Sequence, residues 1–280
     1  MEYFTLNDGN RIPAVGSGTN SFGKEGGFAG VFTGSTKEML SCIEAGYRLF
    51  DTAESYGNEA VIGNAVRESG VSRGEFFLET KMKIRSRGDE PWPVLGRKET
   101  EAAIQRSLEK LGTDYIDIYL MHHPANTPEE LRAVWTTLEE YHGNGVLRSI
   151  GVCNFSAEDL DQLLGFCRIR PVINQIRINP ETPNSAIAEH CRKNGIIPMA
   201  WSPLNFTAHR SELEDIAEKY GVSWSKLLLN YNWRNGIISI PKSHSAEHQR
   251  DNIDVFGFSI SDDDMAAIGS LYDLSAPERV

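Results

Sequence analysis

Eight short apolar segments alternate with longer amphipathic stretches along this chain of 280 residues. The segments are rich in β-branched and aromatic residues, as buried strands are, and the stretches between them have the length of typical helices. In order, they read AVGSGT, YRLFDTA, EFFLETK, YIDIYLMH, RSIGVCN, PVINQIRI, GIIPMAWSP and GIISIPK. Eight strand–helix units in one chain predict a (β/α)8 TIM barrel, an α/β fold.

Turn signals sharpen this prediction. NDGN lies between EYFTL and RIPAV and predicts an N-terminal β-hairpin, because Asp-Gly tolerates the positive φ of tight turns. The alternative, a doubly wound open sheet, requires a GxGxxG turn that opens a helix, and GSGTNSFG opens none at the right distance. The absence of repeats and linkers predicts a single domain over residues 1–280.

Three further segments bear on the mouth of such a barrel. The polar run after the eighth strand, SHSAEHQRDNIDVFGF, predicts a short extra helix, which in barrels of this kind often lies near bound phosphate. The stretches 20–35 and 84–96 are irregular and follow strands one and three, so we expect them to shape a pocket mouth.

Composition argues against several classes of protein. A net charge of -11 and a pI near 5.2 disfavour nucleic acid and anionic membranes as partners. No apolar run approaches the roughly 20 residues of a membrane span, and MEYFTLNDGNRIP is not a secretion signal. We expect the protein to be a monomer or a weak oligomer. The scattered cysteines have no metal-ligand spacing and predict reduced thiols in a cytoplasmic protein. They are Cys42, Cys153, Cys167 and Cys191.

Four polar residues stand just after the second, third and fourth predicted strands, where a barrel builds its chemistry. They are Asp51, Tyr56, Lys81 and His122. Each alone has an ordinary role, such as a helix cap, a packed ring, a chain end or a loop histidine. Together they predict one site that handles protons, because the ends of neighbouring strands converge.

The chemistry of such a site follows from these residue types. A tyrosine with a pKa of about 10 is a poor acid at neutral pH, a nearby ammonium lowers that pKa, and a carboxylate holds the ammonium. A histidine beside the phenol hydrogen-bonds and orients a carbonyl oxygen. Neither a nucleophile nor a metal is needed, but a reductant is, and it must come from a cofactor.

The motifs that carry these residues occur in a familiar order. They are LNDGNRIPAVGSGT, GYRLFDTAESYGNE, FFLETK, LGTDYIDIYLMHHP, GVCNF, INQI, AWSPL and IPKS. With them the sequence resembles the aldo-keto reductases over nearly its whole length. The resemblance implies that NADPH, or more weakly NADH, binds across the barrel mouth without a Rossmann motif. It also implies reduction of a small-molecule aldehyde or ketone by hydride transfer, with Tyr56 donating the proton and Asp51, Lys81 and His122 completing the catalytic set.

The resemblance also implies the roles of the strand ends. Asn154 and Gln175 would bind the nicotinamide carboxamide, Trp201 would stack on the nicotinamide ring, and Ser202 and Leu204 would lie along the pyrophosphate. Lys242, Ser243 and Asn252 would lie near the 2′-phosphate and adenine. The full expected cofactor set is Gly18, Thr19, Asp51, Cys153, Asn154, Gln175, Trp201, Ser202, Leu204, Ile240, Lys242, Ser243, His248 and Asn252.

This chain departs from the family pattern at several positions. Cys153 stands where serine is usual, which weakens one hydrogen bond to the carboxamide. His248 replaces an arginine that grips the 2′-phosphate, so we expect a smaller preference for NADPH over NADH. Asn20 and His123 replace tryptophans and make a more polar substrate pocket beside Tyr56 and His122. The tail after IGSLYDL is short, which predicts a reduced closing loop.

Two other functional classes fit parts of the pattern. The first is a catalytically silent regulatory or binding protein on the same barrel, against which the complete set of four residues argues. The second is a metal-dependent hydrolase using His122, His123 and Asp51. Adjacent histidines on one strand are expected to point to opposite faces and to chelate poorly, and the chain has no HExxH motif. We therefore expect no metal.

Overall fold

A computed structural model describes residues 1–84, 94–273 and 275–278. The chain opens with the predicted hairpin, β1 (Tyr3–Thr5) and β2 (Arg11–Pro13), and a second small hairpin, β4 (Lys24–Glu25) and β5 (Val31–Phe32), follows the first barrel strand. The eight parallel barrel strands are β3 (Ser17–Gly18), β6 (Leu49–Asp51), β7 (Phe77–Met82), β8 (Ile116–Met121), β9 (Leu147–Cys153), β10 (Ile173–Arg177), β11 (Ile197–Trp201) and β12 (Ile238–Ile240).

Each barrel strand pairs with its neighbour in chain order, and the first and last strands meet. Val15 forms a parallel bridge with Ser239, and the amide of Gly16 donates to the Ser239 carbonyl at 2.9 Å. The amide of Ser239 in turn donates to the Ala14 carbonyl at 3.1 Å. These bonds join the two edges of the sheet, so the (β/α)8 prediction is confirmed and the open-sheet alternative is wrong.

Ten helices are found in the described residues: α1 (Lys37–Ala45), α2 (Glu59–Glu68), α3 (Arg97–Leu111), α4 (Pro128–Gly143), α5 (Ala157–Leu164), α6 (Ser185–Lys193), α7 (Arg210–Glu218), α8 (Trp224–Arg234), α9 (Ala246–Ile253) and α10 (Asp262–Ser270). Thr127 and Ser156 cap α4 and α5 by accepting amide hydrogen bonds, and both are residue types that commonly begin helices. Gly112 ends α3 in the left-handed conformation at φ 66°, which glycine adopts without a Cβ clash.

The segment predicted as an extra helix forms α9, but α9 packs against α1 and α8 and so completes the ring around the barrel. The helices that form a separate apolar cluster are α7 and α10, which pack with α8 through Leu213, Leu227 and Ile268. Among the described residues, no helix is both long enough and apolar enough to cross a membrane.

The barrel interior changes character along its axis. Its lower part is filled by apolar side chains of the strands, such as Leu120, Ile173 and Met199, and Leu6 and Ile12 of the N-terminal hairpin close it. The upper part, at the carboxyl ends of the strands, holds buried polar groups instead. They are Asp51, Glu79, Lys81 and Gln175. The apolar layer stabilises the barrel, and the polar layer forms the floor of the site.

The two stretches predicted to be irregular differ in outcome. The stretch 20–35 contains the small hairpin β4–β5, whose connecting turn carries Phe28. Of the stretch 84–96, residues 85–93 lie outside the described residues.

Candidate active site

A buried ion pair lies at the centre of the site. The Lys81 ammonium, fully buried on β7, contacts the Asp51 carboxylate at the end of β6 and donates to the Thr52 carbonyl at 3.0 Å. Burial alone would lower the pKa of Lys81, but Asp51 and then Tyr56 and Glu79 raise it further than burial lowers it. Lys81 is therefore a permanent cation, positioned by Asp51.

Tyr56 ends a short 3-10 helix, Glu54–Tyr56, that follows β6 and brings its ring over Lys81. The Lys81 nitrogen lies 5.1 Å from the centre of that ring. Burial raises the pKa of the Tyr56 phenol above its ordinary value, and Lys81 opposes this rise without cancelling it. The expectation that the ammonium acidifies the phenol thus holds for that one interaction, but burial dominates. The phenol remains protonated at neutral pH, as a proton donor must be.

His122 approaches Tyr56 edge-on, with ring centres 5.7 Å apart at 80°. Burial, then Lys81 and His123, lower the pKa of His122 to about 2, so the ring is neutral. His122 and His123 stack in parallel, with ring centres 4.9 Å apart and 5° between planes. The prediction that they point to opposite faces is wrong, because β8 ends at Met121 and strand alternation does not extend past it.

At the ends of β9 and β11, an unusual backbone directs side chains toward the cavity. Asn154 and Ser202 adopt positive φ values of 60° and 51°, which are uncommon outside glycine and often occur at functional sites. The Asn154 amide donates to the His122 carbonyl at 3.1 Å and accepts from the Trp201 indole at 3.0 Å. The expected carboxamide-binding and ring-stacking residues therefore form one connected wall.

Gln175 lies deeper, on β10, and its amide nitrogen is already engaged. It donates to Asp51 at 2.8 Å and also to Glu79, a fully buried carboxyl group. The thiol of Cys153 lies 3.6 Å from the Gln175 oxygen, and burial raises the pKa of that thiol. Glu79 was not predicted from the sequence to belong to this site. Strand alternation could have predicted it, because Glu79 and Lys81, two residues apart on one strand, point to the same side and Lys81 points into the barrel.

A cavity of about 730 Å³ opens at this end of the barrel. Most of the expected catalytic, substrate and cofactor residues line it, namely Gly18, Thr19, Asn20, Asp51, Tyr56, His122, His123, Cys153, Asn154, Gln175, Trp201, Ser202, Leu204, Ile240 and Lys242. A Cβ on Gly18 would lie 3.1 Å from the Ile240 carbonyl, so the wall is close-packed there. Its size and lining fit a dinucleotide cofactor.

Three expected cofactor residues, Ser243, His248 and Asn252, lie outside this cavity, beyond Lys242. Ser243 is engaged in the turn that leads to α9, where its hydroxyl accepts from the Ser245 amide at 3.0 Å. His248 is exposed on the first turn of α9, and Asn252 is buried near its end. The structure thus places these three residues in the turn before α9 and on α9 itself, and does not bring them into the cavity.

Lys242 itself belongs to a polar chain that the sequence did not reveal. Its ammonium donates to the Ser21 hydroxyl at 2.7 Å, and Ser21 lies 3.0 Å from His244. The other His244 nitrogen lies 3.4 Å from Glu38 on α1. No carboxylate pairs directly with Lys242 among the described residues, so its charge is available at the rim.

Phe28 and Asn20 line the same cavity and differ in chemical character. Phe28, 53% exposed, packs edge-on against Tyr56 with ring centres 5.9 Å apart, an aromatic wall that the sequence did not predict. The Asn20 side-chain oxygen is buried and has no hydrogen-bond partner in the described part of the chain. The pocket is therefore mixed, with an aromatic wall beside an unsatisfied acceptor.

Within residues 1–84, 94–273 and 275–278, no three His, Cys, Asp or Glu side chains gather as a metal site would require. Asp51, the carboxylate of the hydrolase alternative, is held by Lys81. The described groups instead form an ion pair of Asp51 with Lys81, and the phenol of Tyr56 and the imidazole of His122 pack beside it.

Comparison with known proteins agrees with this geometry. A model of the aldo/keto reductase family matches residues 14–273. The chain belongs to the aldo/keto reductase family. As a member of that family, the protein is an NADP-dependent oxidoreductase that acts on small-molecule carbonyl compounds.

Relatives within the family show a range of activities. Morphine 6-dehydrogenase of Pseudomonas putida is 35% identical over 95% of this chain and 90% of its own length. Glyoxal reductase of Bacillus subtilis is 35% identical over 85% of this chain and 83% of its own. The crystal structure of a Bombyx mori aldo-keto reductase in complex with NADP superimposes with a TM-score of 0.84, at 35% identity over 96% of this chain and 92% of that one.

Proposed function

We propose that the protein reduces an aldehyde or ketone to the alcohol, with Tyr56 as the proton donor. The observation that carries this proposal is the convergence of Tyr56, His122 and Asp51 on one cavity, with Lys81 buried beneath the Tyr56 ring and paired with Asp51. NADPH, when bound, supplies the hydride. The residues of the chain must then orient the carbonyl group and deliver one proton to its oxygen.

Each catalytic group has a state that suits this task. Tyr56 holds its proton, because burial keeps its pKa high. His122 is neutral, so its ring can donate a hydrogen bond to the carbonyl oxygen without competing as an acid. Lys81 stabilises the phenolate that remains after the proton has left, and Asp51 holds Lys81 in place.

The remaining cavity residues would hold the cofactor. Asn154 and Gln175 would bind the nicotinamide carboxamide, and Trp201 would stack on the ring. Lys242, with Ser243 behind it, would bind the 2′-phosphate, because Lys242 has a charge free of a carboxylate partner in the described residues. His248 adds less than an arginine would, so NADPH would be preferred over NADH by a modest margin.

The decisive test is Tyr56→Phe, which keeps the ring and removes the proton donor. We expect turnover on an aldehyde to fall by at least about 100-fold, the usual scale for a lost general acid. The affinity for NADPH, measured by quenching of protein fluorescence, should stay within about twofold. Tyr141→Phe, at a partly buried tyrosine of the outer layer, is the matched control and should leave both unchanged.

Turnover of the Tyr56→Phe variant at the wild-type rate would remove Tyr56 from the mechanism. A wild-type protein that binds NADPH but reduces no member of a broad carbonyl panel would favour the catalytically silent alternative.

The substrate side favours small or polar carbonyl compounds. The unsatisfied Asn20 oxygen would accept a hydrogen bond from a hydroxyl group of the substrate, and His123 adds polarity. We expect a higher kcat/KM for a hydroxyaldehyde than for a steroid ketone. In Asn20→Leu the ratio of these two kcat/KM values should fall by about tenfold, which corresponds to the loss of one hydrogen bond. The opposite ranking in the wild type would show that Phe28 dominates the pocket.

A further inference from the structure

Glu79 is a carboxyl group inside the barrel that the proposed mechanism does not use. It lies on β7 two residues before Lys81, so strand alternation directs both side chains into the interior. Its side chain is fully buried. Buried acids are rare unless they are paired or hydrogen-bonded, so its contacts require an explanation.

The contacts of Glu79 are too few for an ionised carboxylate. One oxygen accepts from the Gln175 amide and lies 4.0 Å from the Lys81 ammonium. The other oxygen is buried and has no hydrogen-bond donor in the described part of the chain. An ionised carboxylate offers about four lone-pair sites and loses strong hydration when buried, whereas a neutral acid loses much less.

The charges around Glu79 point the same way. The ionisable groups that face it are Asp51 on β6, Lys81 on β7 and the neutral thiol of Cys153 on β9. Gln175 on β10 is uncharged. Two ionised carboxylates beside one ammonium would leave a net negative charge in the interior, where unpaired charge is expensive. Lys81 contacts Asp51 directly and is farther from Glu79, so Asp51 keeps the charge.

We propose that Glu79 is a positioning residue, held as a neutral carboxylic acid at neutral pH, that donates a hydrogen bond to Asp51 and accepts one from Gln175. Burial, and then Asp51, raise the pKa of Glu79 well above its ordinary value, which supports this state. The inference rests on the proposed function, since Asp51 and Gln175 act through Lys81 and the cofactor.

The consequence is a fixed orientation for Gln175. Its amide nitrogen is held by Asp51 and Glu79, so its oxygen is left toward Cys153 and the cavity. A nicotinamide carboxamide would therefore meet an acceptor at this position. Glu79 would thus determine that the cofactor site presents a hydrogen-bond acceptor, although Glu79 itself is buried below the cavity and would not contact the cofactor.

The direct test is infrared difference spectroscopy of the wild type against Glu79→Gln at neutral pH. Glutamine keeps the size of the side chain, accepts from Gln175 and donates to Asp51. We expect this change to remove the C=O stretch of a protonated carboxylic acid. Glu59→Gln is the matched control, because Glu59 is equally buried but lies 3.5 Å from Lys110 and accepts from Thr80 at 2.7 Å. A Glu79→Gln spectrum that retains the whole acid band would overturn the proposal.

The pH dependence of stability provides a second test. A glutamic acid titrates near 4.3 in an unfolded chain, so above that pH the folded wild type retains a proton that the unfolded chain has lost. Stability tied to Glu79 is therefore present at low pH and is lost as pH rises toward the folded pKa. Relative to Glu79→Gln, the unfolding equilibrium constant of the wild type should increase up to about tenfold per pH unit above pH 5. A constant ratio between pH 5 and 8 would mean that Glu79 is ionised in the folded state.

NADPH binding separates this role from the chemistry, because it requires no turnover. Glu79→Gln should bind NADPH within about threefold of wild type, whereas Glu79→Leu should bind about tenfold more weakly because Gln175 loses a partner. An equal loss of NADPH affinity in both variants would contradict the proposal that Glu79 is a neutral acid. If Glu79→Leu does not fold, the infrared spectrum and the pH-dependent stability of Glu79→Gln test the proposal without it. If the proposed function is wrong, Tyr56→Phe would keep full turnover while the infrared, stability and NADPH-binding results for the Glu79 variants would still be as expected here.

Discussion

The two ends of the cavity are built on different principles. At the catalytic end, Asp51, Glu79, Lys81 and Gln175 are all buried, and each shares a partner with another member of the group. At the rim, Lys242 is exposed and hydrogen-bonds only to Ser21 among the described side chains, and His248 is exposed on α9, beyond the cavity. A substitution at the catalytic end leaves buried polar groups without their hydrogen-bond partners. At the exposed end, water can hydrogen-bond any group that a substitution leaves without a partner.

The exposed end includes one of the expected departures from the family pattern. All four predicted catalytic residues come together at the buried end, whereas His248, expected to stand in place of an arginine, is exposed on α9. In an exposed site, such a replacement changes affinity without leaving a buried charge unpaired. The comparison predicts large effects of substitution at the buried end and graded effects at the exposed end.

Lys81→Met should have the largest effect. It removes the cation from beneath Tyr56 and leaves Asp51 buried without its partner. We expect turnover to fall by at least about 100-fold and the free energy of unfolding to fall by about 3–5 kcal/mol, as for other broken buried ion pairs. Carbonyl reduction assays and urea denaturation measure the two effects. Lys193→Met, at an exposed helix lysine, is the control and should change neither. An unchanged unfolding free energy in Lys81→Met would break the contrast between the two ends.

Lys242→Met should have an intermediate effect that is confined to one cofactor. A charge-assisted hydrogen bond contributes about 1.5–3 kcal/mol, so the Kd for NADPH should rise by roughly 10- to 150-fold. The Kd for NADH should change little, because NADH lacks the 2′-phosphate. Titration of both cofactors followed by fluorescence, at one salt concentration, checks this. Equal loss for both cofactors would show that Lys242 supports the cavity wall and not the phosphate.

His248→Arg should have the smallest effect, and in the opposite direction. A guanidinium brings a permanent charge and a bidentate fork, so NADPH should bind a few-fold more tightly while NADH is unaffected. The residue is exposed on α9, and solvent screening limits the gain. If NADPH binds no more tightly, either the side chain at position 248 does not face the phosphate or Arg250, two residues further along α9, already binds it. Ser225→Arg, on the neighbouring α8, serves as the control for added charge.

Much of this molecule was predictable because periodicity and turn chemistry are local. The alternation of apolar segments predicted all eight barrel strands, and NDGN predicted the hairpin that closes the barrel. Once the fold was known, the ends of three strands predicted the convergence of Asp51, Lys81 and His122. Each of these conclusions needs only the order of residues and the rule that parallel strands share one edge.

Other features depend on residues that are distant in sequence. Phe28 reaches Tyr56 only because β4 and β5 fold back over the mouth, and His122 and His123 stack only because β8 ends before them. Likewise, the sequence contained the ammonium and the phenol, but only the packing around them decided that burial outweighs Lys81 in setting the pKa of Tyr56. Desolvation depends on every neighbour in space, and no local pattern records it.

The amino-acid sequence by itself thus predicted the barrel and its family and which groups come together at the strand ends, because these follow from periodicity and motif order. The tertiary structure alone decided how the groups share charge. Glu79 reads as an ordinary strand residue until β6, β7 and β10 bring Asp51, Lys81 and Gln175 around it. Electrostatic states in a protein interior depend on three-dimensional neighbours and on the exclusion of water, and both exist only after the chain has folded.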